Sequence, residues 1–355
     1  MKKISEDTCL LKRMLARLNK VPEIYRPSLY WLIKTKISTR EILKYGLRDF
    51  RGCENSIGTS YADNAIVDVR GQYNHGLRSL LSFLMRRVFP LSHIFDAQVT
   101  QTKYWFETSV KFKNTVANAS DLIRELLIEF KMPDDTTRGG CLDFCEIDGI
   151  KIANHYLELL HTHTILSRHL DFTKARTFFE IGGGFGANVH LLIENYPNIR
   201  KIIYLDIPPN LYVGTQYLKS FYGKSVKTFS EASELKIEFS LDDDLEVICI
   251  MPDQIEQLSV SIDIFQNSHS FVEMSPVILK NYAKYIENTL NPNKSFIALV
   301  SYDQANESTI QSGTLPNYFL RKFVRYEAPT LWHPNRSNIY YIGKKYNHNQ
   351  EDSYL

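Results

Sequence analysis

The chain has 355 residues, of which 44% are hydrophobic and 23% charged, and 42 Lys and Arg against 40 Asp and Glu leave a formal net charge of +2. That length suits two domains, or one domain with a large extension. The balanced charge excludes the broad basic excess of a dedicated nucleic-acid binder, and no run of about eighteen apolar residues offers a membrane span.

Read from the N-terminus, Met1–Lys3 is followed by Ser5, Glu6 and Asp7, which break any apolar run, so no secretory leader is expected. Leu10, Leu11, Met14, Leu15 and Leu18 then recur at helical spacing. Further helices are expected over Gly76–Phe89, stopped by Pro90, over Ser120–Lys131 and over Ile152–Leu170. Turn-rich stretches lie at Gly52–Asn64 and Asp134–Gly140. Residues 1–165 therefore read as a mostly helical N-terminal domain, serving acceptor binding, oligomerisation or both.

From about residue 166 the pattern changes. Short runs rich in Ile, Val, Leu and Phe appear at Thr177–Ile181, Lys201–Asp206, Glu246–Met251, Ile262–Gln266, Ser295–Ser301, Phe323–Ala328 and Asn338–Gly343. Helical patterns fill Asn188–Asn195, Leu211–Tyr222 and Met274–Leu290. Strands alternating with helices predict βαβ units and a parallel sheet. The last two runs have no helix between them and predict an antiparallel hairpin at the sheet edge. The expected fold is α/β and Rossmann-like over residues 166–346, with a polar tail at 347–355.

The segment FFEIGGGFGAN, Phe178 to Asn188, carries the strongest chemical signal. A buried strand ends in Glu180, and Gly182, Gly183, Gly184 and Gly186 precede a helix, where side chains would block a ligand lying on the turn. Gly182, Gly184 and Ala187 also fit G-x-G-x-x-A, and Asp206, closing KIIYLD, could hold a ribose in a dinucleotide fold as well. Glu180 separates the two readings. An acid at the end of the first strand repels a pyrophosphate, but suits the cationic amino-acid end of S-adenosylmethionine.

With those residues in hand, the sequence resembles class I S-adenosylmethionine-dependent methyltransferases, and more narrowly the sugar O-methyltransferase family of bacteria. The resemblance is carried by EIGGGFG at Glu180–Gly186, YLDIPPNL at Tyr204–Leu211, ICIMPDQ at Ile248–Gln254 and DIFQNSHSFVEM at Asp263–Met274, and it covers roughly residues 150–345. It implies a seven-stranded sheet, S-adenosylmethionine as donor with S-adenosylhomocysteine as product, and a sugar hydroxyl as acceptor. It also implies a role in cell-surface polysaccharide or glycosylated-metabolite biosynthesis. On this resemblance Gly182, Gly184 and Gly186 make room for the cofactor, Glu180 faces its amino-acid portion and Asp206 its ribose. Asp253 and Gln254 stand at the adenine, and Asn267 and Ser268, following the fourth strand, at the sulfonium. Met251–Pro252 before Asp253 departs from the usual turn and weakens the adenine assignment.

Methyl transfer to oxygen needs alignment of acceptor, methyl carbon and sulfur, and a base for a sugar hydroxyl. His269, directly after the fourth strand, is the first candidate base, with an ordinary pKa suited to neutral pH; Glu273 is the reserve. Asp253, His269 and Glu273 could instead hold magnesium, a version not favoured. The scattered set Cys141, Cys145, His155, His161, His163 and His169 matches no zinc spacing. Arg138 in DDTTRGG is the residue to watch if the acceptor carries phosphate, as a nucleotide sugar does. Five cysteines, Cys9, Cys53, Cys141, Cys145 and Cys249, are odd in number and scattered, which predicts a reducing, cytoplasmic setting. The expected partner is a sugar or nucleotide-sugar acceptor, with no nucleic acid; a homo-oligomer is compatible with the sequence. Three other readings are open: a methyltransferase acting on a lipid or other small molecule, an NAD-dependent oxidoreductase, and an inactive cofactor-binding partner protein.

Overall fold

The computed structural model describes residues 4–51, 120–141, 144–232, 234–302, 309–331 and 337–344. The expected helix at Gly76–Phe89, the turn-rich stretch at Gly52–Asn64, Cys53 and the tail at 347–355 lie outside the described residues.

Eight strands form the main sheet, in the order β5-β6-β4-β3-β7-β8-β10-β9. They are β3 (Thr177–Ile181), β4 (Lys201–Leu205), β5 (Val226–Lys227), β6 (Glu246–Ile250), β7 (Ile264–Ser268), β8 (Phe296–Ser301), β9 (Lys322–Pro329) and β10 (Ser337–Lys344). The strands from β5 to β8 pair in parallel, and β10 runs antiparallel between β8 and β9. Every residue of β4 and β6 is buried, as strands covered on both faces by helices require. Seven strands match the expected runs; the eighth, β5, is a two-residue edge segment too short for a periodicity to mark. The expected fourth strand is shifted. It spans Ile264–Ser268, so Asn267 and Ser268 end the strand instead of following it.

The helices between strands are α5 (Ala187–Asn195), α6 (Asn210–Tyr222) and α7 (Pro276–Thr289). Because the chain leaves β3 toward β4 on one side and returns to β7 on the other, the order reverses at β3. A crevice opens at such a point, beyond the carboxyl ends of the strands.

The N-terminal half contributes α1 (Thr8–Leu18), α2 (Leu29–Tyr45), α3 (Ser120–Glu129) and α4 (Asn154–Ser167). Helix α1 buries Leu10, Leu11, Met14 and Leu18 along one face, and Asp7 caps it by accepting from the Leu10 amide at 2.9 Å. Within the half expected to be mostly helical lies a hairpin of β1 (Phe144–Ile147) and β2 (Ile150–Ala153), joined through Asp148 and Gly149. Both turn residues have positive φ, 51° and 79°, the geometry that favours Asp-Gly in two-residue hairpins. This hairpin takes the first two residues of the expected helix at Ile152–Leu170. One continuous apolar core runs from Ile4 in the N-terminal segment to Ile342 in β10. Among the described residues no helix is long and apolar enough to cross a membrane.

Candidate cofactor and acceptor site

The glycine loop sits at the switch point of the sheet. Gly182, Gly184 and Gly186 take φ values of 78°, 63° and 85°, a region side chains rarely enter. At Gly183 an added Cβ would stand 2.8 Å from both the Glu180 carboxyl carbon and the Tyr204 ring, so the loop lies directly on Glu180. Three bonds fasten it to β4 and the residue after it: the Gly182 amide donates to the Leu205 carbonyl and the Gly184 amide to Asp206 Oδ2, both at 2.9 Å, and the Tyr204 hydroxyl donates to the Gly184 carbonyl.

Two carboxylates flank this loop, and both are buried, Glu180 at 2% and Asp206 at 5% exposure. Asp206 spends both oxygens on backbone: Oδ2 accepts from Gly184, and Oδ1 from the Ile207 amide at 2.7 Å. Burial raises its pKa to about 7, against the lowering effect of those donors. The Asn210 side chain also bonds this carboxylate, which leaves one acceptor site that a ribose hydroxyl could use. Glu180 Oε1 accepts from Asn188 Nδ2 at 2.7 Å, while Oε2 is buried with no partner among the described residues. Burial pushes Glu180 up to about 8, and the nearby Asp206 adds to the rise.

On the β6 side, Asp253 Oδ2 accepts from Arg17 of α1 through Nε at 2.9 Å and Nη2 at 2.8 Å, and Oδ1 has no partner among the described residues. Gln254 is fully buried. Its Oε1 accepts from the Met251 amide at 2.9 Å and its Nε2 donates to the Phe229 carbonyl at 3.0 Å, so its amide braces the Met251–Pro252 turn.

On the β7 side, Asn267 Nδ2 donates to the Ile181 carbonyl at 2.8 Å and its Oδ1 accepts from the Phe271 amide at 3.2 Å, tying β7 to β3 and to the turn that follows. Ser268 Oγ accepts from Gln266 Nε2 at 3.3 Å. His269 is half-buried and left-handed, with φ 68°, and its amide is held by the Val300 carbonyl at 2.8 Å. Its Nε2 donates to Asn338 Oδ1 at 3.3 Å, and burial lowers its pKa. Glu273 accepts from Trp31 Nε1 of α2 at 2.9 Å and from the Tyr302 hydroxyl at 3.0 Å; burial raises its pKa. The ring of Tyr302 lies 5.4 Å from that of His269.

Asp253, His269 and Glu273 are thus each held by different neighbours. Among the described residues no group of three His, Cys, Asp or Glu side chains could hold a metal ion. Cys141, Cys145 and Cys249 are buried and Cys9 is exposed, and none of the four is in a disulfide. Arg138 does not serve as an exposed phosphate contact. It is buried, donates to Asp135 at 2.9 Å and Ser220 Oγ at 2.8 Å, and lies 3.6 Å over the Phe221 ring. Trp31, Tyr302, Asn338 and Arg17 fall in no motif, His163 appears only in the scattered set of His and Cys, and Asn188 closes the glycine segment without an assigned role. Only Asn188, opening α5 after the glycine loop, stands where a local signal could have found it.

No family model matches the sequence, and no curated protein matches it. Solved structures resemble the chain at low identity. They include the N-methyltransferase NodS of Bradyrhizobium japonicum in complex with S-adenosylhomocysteine (14% identity, 52% of this chain and 85% of that chain, TM-score 0.38). The mitomycin 7-O-methyltransferase MmcR matches 95% of this chain and 100% of that chain, at 13% identity and a TM-score of 0.37. A methyltransferase from Leishmania major covers 62% of this chain and 82% of that chain, at 14% identity and a TM-score of 0.38. Likenesses at such TM-scores bear no weight on activity, which rests on the chain's own residues.

Proposed function

We propose that this chain is an S-adenosylmethionine-dependent O-methyltransferase acting on a sugar hydroxyl. The observation that carries the cofactor is Glu180: a buried carboxylate under a glycine loop at the switch point, with one oxygen lacking a partner among the described residues. A buried carboxylate in that state calls for a cation, and the ammonium of an amino-acid ligand is one. A pyrophosphate would meet the opposite charge balance there. The antiparallel β10 between β8 and β9 also differs from the wholly parallel dinucleotide-binding order.

Gly182, Gly184 and Gly186 would leave room for the cofactor, Glu180 would hold its ammonium and Asp206 its ribose hydroxyls. Asp253 Oδ1 remains for the adenine end, while Gln254 supports the turn from inside. When bound, S-adenosylmethionine supplies a methyl group already activated by the positive sulfur. The protein's task is then alignment and removal of one proton. Asn338 Oδ1 can only accept, so His269 Nε2 carries the hydrogen and Nδ1 keeps the lone pair. Burial keeps the ring neutral at physiological pH, ready to take the acceptor's hydroxyl proton at Nδ1. Glu273 accepts from both Trp31 and Tyr302 and so orients the Tyr302 ring beside His269. Ring faces next to polar groups are the mixture a sugar takes, and with the motif resemblance this supports the acceptor class.

Calorimetric titration with S-adenosylhomocysteine, with NAD as control, tests the cofactor. Micromolar binding of the first and none of the second is expected; NAD binding, or binding of neither, overturns the reading. Methyl transfer to a panel of nucleotide sugars tests the acceptor, and turnover confined to lipids or aromatic metabolites would reject the sugar.

A further inference from the structure

Glu180 ends a line of three polar side chains. His163, on α4, is buried and places Nε2 2.9 Å from Asn188 Oδ1; Asn188 Nδ2 in turn donates to Glu180 Oε1 at 2.7 Å. Rings close His163 in: Phe172 stands 5.3 Å and Tyr196 6.0 Å away between centroids. Its other nitrogen, Nδ1, is buried with no partner among the described residues.

The chemistry of each atom sets the direction of the line. An amide oxygen only accepts, so His163 Nε2 must donate. With Oδ1 held there, the Asn188 amide has to turn its NH2 toward Glu180. The reversed amide would set its oxygen against the carboxylate, unless Glu180 were protonated. Burial holds His163 neutral, with a pKa lowered to about 4, so the line brings one properly oriented donor to Glu180 without adding a charge. The second oxygen of Glu180 lies beneath Gly183 with no partner among the described residues.

We infer that His163 is a positioning residue, which through Asn188 fixes the orientation of the Glu180 carboxyl and so sets the affinity for a cationic amino-acid end. This rests on the cofactor proposed above, yet it can fail separately. Three elements of the chain meet here: α4, the start of α5 and the end of β3. The N-terminal half would therefore tune the cofactor site from behind, without touching the ligand.

The test is calorimetry of the full chain with two probes, S-adenosylhomocysteine and methylthioadenosine, which lacks the amino-acid portion. His163→Phe should weaken S-adenosylhomocysteine about tenfold, the order expected for a lost hydrogen bond to a charged group, and leave methylthioadenosine within about twofold. His163→Gln, whose amide can still donate to Asn188, should restore most of the loss. In a Glu180→Gln background His163→Phe should add nearly nothing to the S-adenosylhomocysteine loss. If His163→Phe does not fold, Asn188→Ala should show the same selective loss. Equal weakening of both probes, or no weakening of either, overturns the positioning role. Wild-type protein that binds neither probe overturns the proposed cofactor itself.

Discussion

The ends of β3 and β4 carry two buried carboxylates that look alike and are held differently. Asp206 is spent on the loop, since both its oxygens accept backbone N–H groups. Glu180 has one oxygen held by Asn188 and one with no partner among the described residues. The first acid fastens the loop to its neighbours, and the second lies beneath it with half of its carboxylate uncommitted among the described residues. Burial alone does not distinguish them; the partners do.

The largest expected effect lies beyond both acids. His269→Asn, which tolerates the left-handed backbone, should lower turnover by about 10²- to 10⁴-fold, the range of a general base, with S-adenosylhomocysteine affinity unchanged. An active variant removes His269 as the base. Next, Glu180→Gln should cost roughly tenfold to a hundredfold in S-adenosylhomocysteine affinity and leave the melting temperature nearly unchanged at neutral pH, where burial keeps the ligand-free carboxyl largely protonated. Asp206→Asn should show the converse weighting. Losing its charge-assisted bonds to Gly184 and Ile207 should cost about 1–3 kcal/mol in urea unfolding. A larger affinity loss for Asp206→Asn than for Glu180→Gln would break the contrast.

A pH series sharpens it further. Burial raises Glu180 from 4.5 to about 8 in the folded protein, so its contribution to stability is full below about pH 4.5 and is lost as pH rises through 8. Ligand-free wild type should therefore lose melting temperature over that window more steeply than Glu180→Gln, while stabilisation by S-adenosylhomocysteine grows. Parallel curves would show that Glu180 does not titrate this way. The smallest effect is expected at Arg17, whose pair with Asp253 is partly exposed. Arg17→Ala should cost about 1 kcal/mol or less of stability.

The glycine loop, the acid before it and the acid closing the next strand were legible because each is local. A strand, a turn that needs positive φ and a helix start occupy consecutive residues, and periodicity marks them. The hairpin at Asp148–Gly149 was equally local, but its short flanking strands were absorbed into a helical reading. Distant partners were not legible. Nothing in the spacing of Arg17 and Asp253, of Trp31 and Glu273, or of His163 and Asn188 says that they meet.

By itself, the sequence determined that residues from about 166 build an α/β sheet, that its first turn suits a ligand, and that Glu180 makes this turn unlike a pyrophosphate loop. Only the tertiary structure decided that Asp206 fastens the glycine loop, that Gln254 braces a turn from inside, that one oxygen of Glu180 has no partner among the described residues and that His163 stands behind it. Local conformation follows from side-chain chemistry within a few residues. Which polar atoms find partners depends on how whole elements pack, because a buried donor or acceptor is satisfied only by whatever the fold brings within about 3 Å.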